Sequence, residues 1–360
     1  MSEQLDKLLA AIGKPKRLLI VTHDNPDPDA LAAACALARL AQARLDVPSR
    51  ICFEGITGRA ENRTLARGLG LKRLSARRVN WSKWPRMALV DSQPGTGNNA
   101  FPARRVPDVV LDHHPLRRRT RGRFVDVRTQ YGACATMLAE YLHEAEVNVS
   151  PSLAAALCYA IASETRDLSH QASAADTDAY MRLYTTADKK LLSRIRHPRL
   201  RHAYFATMAR GIASAFTYAN IIGAHLGDVE HPDSVSLMAD LLLRHERMSW
   251  SIVTGQYKGD LYVSIRSTRM SAHAGRLLRQ LLGRRGRAGG HEAIGGGRCS
   301  LDGMDTAAID DMKRDLVMRF IAKVRRRAEV VLKPLVAIED FPVVARSAGD
   351  AYDAAGDEEE

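Results

Sequence analysis

Residues 18–30, LLIVTHDNPDPDA, constrain the chain more tightly than any other stretch. An apolar, β-prone run stops at Val21, a loop carries His23, Asp27 and Asp29, and an alanine- and leucine-rich pattern of helical period continues to about Leu45. This reads as a buried strand delivering three ligand-type side chains to the edge of a sheet. Pro26 and Pro28 fix their own φ angles and push Asn25 and Asp27 toward extended backbone, so the loop is stiff before anything binds. A capping role on the helix that starts near Ala30 accounts for Asp29 alone and leaves His23 and Asp27 unexplained.

The same device recurs along the chain. Residues 86–90 read as a strand ending at Asp91, and residues 106–111 as another ending in Asp112, His113 and His114. Further strands at 49–53 and 124–128 and helices at 3–12, 61–69, 132–143 and 152–161 complete an alternating pattern. That alternation predicts a mostly parallel sheet flanked by helices, with ligands gathered outside the carboxyl ends of the strands. The helix at 152–161 runs on into Glu164 and Asp167, which adds two more carboxylates near a helix end. Residues 177–220 read as helical nearly throughout, broken at Pro198. A second, smaller α/β unit follows, with strands at 221–226, 248–257 and 261–267, helices at 234–243, 273–282 and 306–327, and a glycine-rich loop at 283–297, GRRGRAGGHEAIGGG. The expected organisation is a catalytic domain over 1–185, a helical linker over 186–219, a second domain over 220–345 and an acidic, disordered tail over 346–360.

Composition agrees with this division. A chain of 360 residues with 46% hydrophobic content is expected to hold two packed domains. Without an apolar run of roughly 18 to 20 residues or a signal-like N-terminus, the expected address is the cytoplasm, away from membranes. Five cysteines with no CxxC pair predict buried thiols, neither a zinc site nor a disulfide frame. Lys and Arg number 53 against 41 Asp and Glu, a formal charge of +12, which suits a polyanionic partner such as a nucleotide, nucleic acid or polyphosphate. The excess is clustered at 117–123, RRRTRGR, at 284–287, RRGR, and at 323–327, KVRRR; the last lies on a helix and reads as a solvated face.

His23, Asp27, Asp29, Asp91, His113 and either Glu164 or Asp167 form a mixed imidazole and carboxylate set that suits Mn²⁺ or Mg²⁺. Six ligands are too many for one ion. Two ions about 3.5–4 Å apart, bridged by a carboxylate, generate a hydroxide nucleophile and neutralise both the attacking and the leaving oxygen at a phosphoryl centre.

These residues resemble the motifs of the DHH phosphoesterases: HDNPDPDA at 23–30, VDS at 90–92 and DHHP at 112–115 occur in that family's order and spacing. The fourth motif corresponds to AIASETRDL at 160–168, with Glu164 where the family carries Asp. YVSIRS at 262–267 and GGHEAIGGG at 289–297 resemble the substrate strand and glycine loop of the associated DHHA1 domain. The resemblance implies an N-terminal DHH domain, a helical linker and a DHHA1 domain, with the active-site cleft between the domains. It assigns His23 and Asp27 to one metal, Asp29, His113 and Glu164 to the other, and Asp91 as the bridge; Asp167 is the alternative fourth-motif ligand. Asp112 would orient the histidines, His114 would assist catalysis at the phosphate, and Arg266, Ser267, Gly289, Gly290 and His291 would bind substrate. Thr136 matches a recurring segment, and a helix-start role accounts for it equally well. The branch most resembled is the oligoribonucleases, or nanoRNases, that also act on 3′,5′-bisphosphoadenosine. It implies two divalent ions, Mn²⁺ ahead of Mg²⁺, and a short RNA, linear dinucleotide or nucleoside bisphosphate as substrate, and it leaves a homodimer open. An exopolyphosphatase, a RecJ-like single-strand exonuclease and a non-catalytic nucleic-acid-binding protein are the alternatives.

Overall fold

The structure, a computed structural model, describes residues 2–169, 172–290, 292–325 and 330–336. The chain divides into two compact units at the Leu200/Arg201 boundary.

Unit 1 contains α1 (Glu3–Ile12), β1 (Leu18–Val21), α2 (Pro28–Leu45), β2 (Ser49–Cys52), α3 (Ala60–Gly68), β3 (Arg73–Leu74), β4 (Arg86–Val90), β5 (Val109–Asp112), β6 (Phe124–Val127), α4 (Cys134–Glu144), α5 (Pro151–Glu164), α6 (Ala174–Thr186) and α7 (Lys189–Arg196). Its six strands pair in the order β3-β2-β1-β4-β5-β6, all parallel. The order reverses between β1 and β4: from β1 the chain moves outward to β2 and β3, then returns to β4 on the other side of β1. Connections that leave in opposite directions open a crevice at the carboxyl ends of those two strands, where α/β sheets bind ligands.

The central strands β1, β4 and β5 are apolar along most of their length because both faces are covered. Leu18, Ile20, Ala88, Val90, Val109 and Leu111 pack under α1, α2, α4 and α5, while Leu19, Val21, Met87, Leu89 and Val110 face a smaller cluster with Trp84 and Phe101. Asp27, rather than Asp29, caps α2, its Oδ1 accepting the Ala30 amide at 3.0 Å, with Pro28 in the first turn where a missing N–H costs nothing. Buried Asp176 joins two helix starts. It accepts the Gly132 amide at 2.8 Å, the Ser173 amide at 2.7 Å and the hydroxyls of Ser173 and Thr136. Thr136 therefore has a structural partner.

Unit 2 contains α8 (His202–Ala213), β7 (Phe216–Tyr218), β8 (Ile221–Asp228), α9 (Asp233–Leu242), β9 (Trp250–Tyr257), β10 (Asp260–Ser267), α10 (Ala274–Leu282), β11 (Gly286–Gly289), β12 (Ile294–Ser300), α11 (Thr306–Arg325) and β13 (Lys333–Pro334). Its seven-stranded sheet runs β11-β12-β10-β9-β8-β7-β13, with β8 and β9 parallel and the other pairs antiparallel. The segment 186–219 is shared: Leu191, Leu192 and Ile195 of α7 lie in the core of unit 1, and Met208 of α8 lies in that of unit 2.

Three expectations are corrected. The helical reading to residue 220 fails at β7, which pairs with β8. The strand expected from Val106 starts at Val109, and Val106 is exposed. The glycine-rich loop at 283–297 is largely a β-hairpin, β11 against β12, in which Gly295, Gly296 and Gly297 pair with Ile265, Ser264 and Val263 of β10. Glycine disguised the strand because it carries no side-chain period. The tail expected at 346–360 lies outside the described residues. All five cysteines are free thiols, and no helix among the described residues is long and apolar enough to cross a membrane.

Replacing Asp176 with alanine removes a charged acceptor and leaves buried donors of two helix starts unpaired. A loss of roughly 3 kcal/mol is expected from urea unfolding.

Candidate metal centre

His23, Asp27, Asp91, His113 and His114 converge at the carboxyl ends of β1, β4 and β5. They form two ligand-competent groups, His23 with Asp27 and Asp91, and Asp91 with His113 and His114. Asp91 belongs to both. Its Oδ2 lies 3.4 Å from His23 Nε2, and its Oδ1 lies 3.5 Å from His113 Nε2 and 3.6 Å from His114 Nδ1. Asp27 Oδ2 is 3.5 Å from His23 Nε2. Asp91 takes left-handed backbone, φ 54°, a conformation costly for a residue with a Cβ, and its amide donates to Leu111 O at 2.8 Å. The strained residue leaves β4 at the crevice and puts its carboxylate between the two histidine groups.

The imidazoles are oriented from behind. His23 Nδ1 lies 3.0 Å from Asp24 O and His113 Nδ1 lies 3.3 Å from Tyr131 O, so in both rings an Nδ1–H donates to a backbone carbonyl and Nε2 is turned toward the carboxylates. Asp112 works through its neighbours: Oδ1 accepts the amides of His113 and His114 and lies 2.9 Å from His114 Nδ1, while Oδ2 accepts Gln93 Nε2 at 2.7 Å. Burial opposes protonation of His114, but its bond to Asp112 and the charge of Asp91 prevail and push its pKa up to about 9.

Asp29 is fully buried and belongs to neither group. Its Oδ2 accepts the Cys134 amide and its Oδ1 the Ala135 amide, both at 2.7 Å, at the start of α4, and Oδ2 sits 3.7 Å from His113 Nε2. The helix terminus thus holds Asp29 beside the centre. Of the two fourth-motif candidates, Asp167 has a side chain 84% exposed and faces Arg196 at 3.8 Å. Glu164 faces inward: burial, then the charges of Asp27 and Asp91, push its pKa up to about 8. It ends α5 and precedes a turn in which Arg166, Asp167 and Leu168 all have positive φ. Burial and the charges of Asp91, Glu164 and Asp27 likewise raise Asp29 well above the carboxylate range.

The donor set fits divalent cations. Asp91 Oδ1 is buried with no hydrogen-bond partner, and burial together with neighbouring carboxylate charge raises Asp29 and Glu164, a repulsion that nearby positive charge would relieve.

In unit 2, Arg266 is nearly buried. Its Nε donates to Asp240 Oδ1 at 2.6 Å and its Nη1 to Ser264 Oγ at 2.7 Å and Ile265 O at 3.1 Å. Ser267 Oγ accepts the Arg269 amide. Gly290, φ +130°, must be glycine, because a Cβ there would meet Ile294 O at 2.1 Å, whereas one on Gly289 would meet nothing. His291 lies outside the described residues.

Sequence reading missed Gln93. Buried, it joins Asp112 to the arginine segment, its Oε1 accepting the Arg117 amide at 2.8 Å and the Thr120 hydroxyl at 2.6 Å. Its position two residues beyond Asp91 was the available signal.

No family model matches the sequence. An uncharacterized protein of Methanocaldococcus jannaschii, MJ1633, is 30% identical over 307 residues, 84% of this chain; the chain spans 62% of that curated relative's length. Among solved structures, an exopolyphosphatase-related protein of Bacteroides fragilis superposes with a TM-score of 0.69 at 12% identity, covering 89% of this chain and 98% of that one. RecJ of Thermus thermophilus in complex with Mg²⁺ is a weaker likeness, with a TM-score of 0.44 at 15% identity over 91% of this chain and 53% of that one. Two α/β units, the first a parallel sheet bearing histidine and aspartate at its strand ends, define the fold class. The chain shares its fold with the exopolyphosphatase-related protein, and its motifs resemble those of the DHH/DHHA1 phosphoesterases.

Burial and the charges of Asp27 and Asp91 push Glu164 up to about 8, so a metal ion taken up at this carboxyl would have to displace a proton at pH 7. Protons therefore compete less as pH rises, and apparent Mn²⁺ affinity should increase between pH 6 and pH 8, with proton release seen by titration calorimetry in buffers of different ionisation enthalpy. Glu164→Gln should weaken Mn²⁺ binding about tenfold or more and Asp167→Asn less than twofold; the reverse order would move the ligand role to Asp167.

Proposed function

We propose that the protein is a two-metal phosphodiesterase that hydrolyses short oligoribonucleotides or linear dinucleotides to mononucleotides, with 3′,5′-bisphosphoadenosine as a further substrate. The observation that carries this reading is the position of Asp91, whose two carboxylate oxygens face different histidine groups. His23 and Asp27 would hold one ion, and His113, Asp29 and Glu164 the other, with Asp91 shared; Mn²⁺ is the first choice and Mg²⁺ the second. Bound there, such ions supply a hydroxide nucleophile at neutral pH and neutralise charge on the phosphoryl oxygens.

The chain's own residues do the rest. Asp112 holds the His114 ring, and His114, protonated at neutral pH, stabilises negative charge at the phosphate and gives its proton to the departing oxygen. In unit 2, Arg266, Ser267, Gly289, Gly290 and His291 are the proposed substrate-binding residues. Arg266 would exchange Asp240 for a substrate phosphate, an exchange of one charge-assisted partner for another.

Polyphosphate is the second reading, favoured by the fold shared with the exopolyphosphatase-related protein and by the net charge of +12. Purified protein with Mn²⁺ should be offered pApA, a long RNA, 3′,5′-bisphosphoadenosine and polyphosphate in parallel. Fast release of mononucleotide from pApA with slow attack on the long RNA is the expected result; preference for polyphosphate would replace the substrate class. Asp91→Asn should lower kcat on pApA by about a thousandfold or more, whereas Arg266→Gln should act mainly on KM. Equal kcat losses in both variants would contradict that division.

A further inference from the structure

The arginine segment that follows His114 is unused by the chemistry above. Thr120 N–H donates to Arg117 O at 3.0 Å, closing a β-turn over residues 117–120 with Arg118 and Arg119 at its two central positions. Gln93 Oε1 pins both corners of this turn, at the Arg117 amide and the Thr120 hydroxyl, while Gln93 Nε2 holds Asp112. One buried side chain thus fixes the turn and the carboxylate that orients His114. Arg118 lies only four residues past His114. β5 is parallel to β1 and β4, so the turn leaves the sheet at the same end as the metal-binding side chains.

The cations of this segment are unequally committed. Arg117 Nη1 donates to Gly95 O, Arg121 Nη1 to carbonyls of its own loop, and Arg123 Nε lies 3.4 Å from Asp108. Arg118 and Arg119 are exposed, and no described carboxylate pairs with either. A fixed backbone carrying unpaired guanidinium groups has little ordering left to do when it meets an anion, and guanidinium matches the oxygens of a phosphate.

We propose that the turn is a phosphate-reading rim, in which Arg118 and Arg119 bind substrate phosphates other than the one being cleaved and so favour substrates with several phosphates. The proposal rests on the phosphodiesterase reading and deepens it. Arg118 and Arg119 determine specificity and take no part in the chemical step.

The test compares 5′-phosphorylated triadenylate with bis(p-nitrophenyl) phosphate, a diester with no second phosphate, in wild type, the Arg118→Gln/Arg119→Gln double variant and the Arg118→Lys/Arg119→Lys double variant. In the glutamine variant, KM for triadenylate should rise about tenfold with kcat within about twofold, and its dependence on salt should flatten. Turnover of the single diester should be unchanged, and the lysine variant should recover most of the loss. Equal losses on both substrates, or no loss on triadenylate, would overturn the rim while leaving the phosphodiesterase reading intact. A wild type that hydrolyses neither substrate with Mn²⁺ overturns that reading and the rim with it.

Discussion

The structure depends on keeping several carboxylates close together, with Asp29 and Asp91 buried among them. Burial disfavours the charged forms of Asp29 and Glu164, and the charges of Asp27 and Asp91 add to it, so both carboxyls rise above the carboxylate range; at Asp27 burial acts the same way, but His23 and the Ala30 amide prevail and hold the carboxyl low. Each carboxylate is stabilised differently. Asp27 accepts an amide of α2 and faces His23, Asp29 takes two amides of α4, and Asp112, just behind them, is saturated by Gln93 and its two neighbouring residues. Asp91 alone is left with a buried oxygen that accepts no hydrogen bond. A buried carboxylate oxygen at the focus of the site that accepts no hydrogen bond is the pattern expected of a ligand whose partner is a cation.

Topology makes this crowding achievable. Parallel strands all end on one side, so short loops after β1, β4 and β5 bring their first residues together without long excursions. The switch between β1 and β4 leaves room for those residues, and left-handed backbone at Asp91 turns the chain directly after the last sheet residue. An ordinary extended exit would carry the side chain along the strand direction instead. Local strain is the cost of placing one carboxylate between two histidines.

The strand ends were legible because an apolar run that stops at a charged residue is a sharp local signal, and three such stops in order exceed what isolated caps explain. The boundaries of α2, β1 and β4 follow for the same reason. Burial and partners were not legible. Sequence could not separate Glu164 from Asp167, because which of two carboxylates near a helix end faces inward depends on the three left-handed residues that follow Thr165. It could not give Asp29 its second role, since the amides it holds are more than a hundred residues away. Strands of two or three residues, β3, β7 and β13, show no period at all. In the glycine segment the composition suggested a loop that cradles phosphate, but sheet pairing to β10 uses much of that backbone, and at Gly290 and Gly295 the missing Cβ is required for close approach to neighbouring main chain.

A site made of carboxylates faces a difficulty when its substrate is itself anionic. Divalent ions reverse the local charge, but only over a few ångströms, and every phosphate beyond the scissile one still meets the outer field of the acidic groups, screened over about 8 Å at physiological salt. Cations fixed at the rim offset that field where the ions do not reach. They must be held by backbone contacts so that their side chains stay unpaired, and they must not neutralise the carboxylates themselves, or metal affinity would fall. The turn pinned by Gln93 meets the first condition through main-chain and hydroxyl contacts, and it meets the second because, among the described residues, no ion pair joins Arg118 or Arg119 to a carboxylate of the cluster. An acidic interior and a basic rim are thus complementary parts of one electrostatic arrangement, linked by the buried amide that touches both.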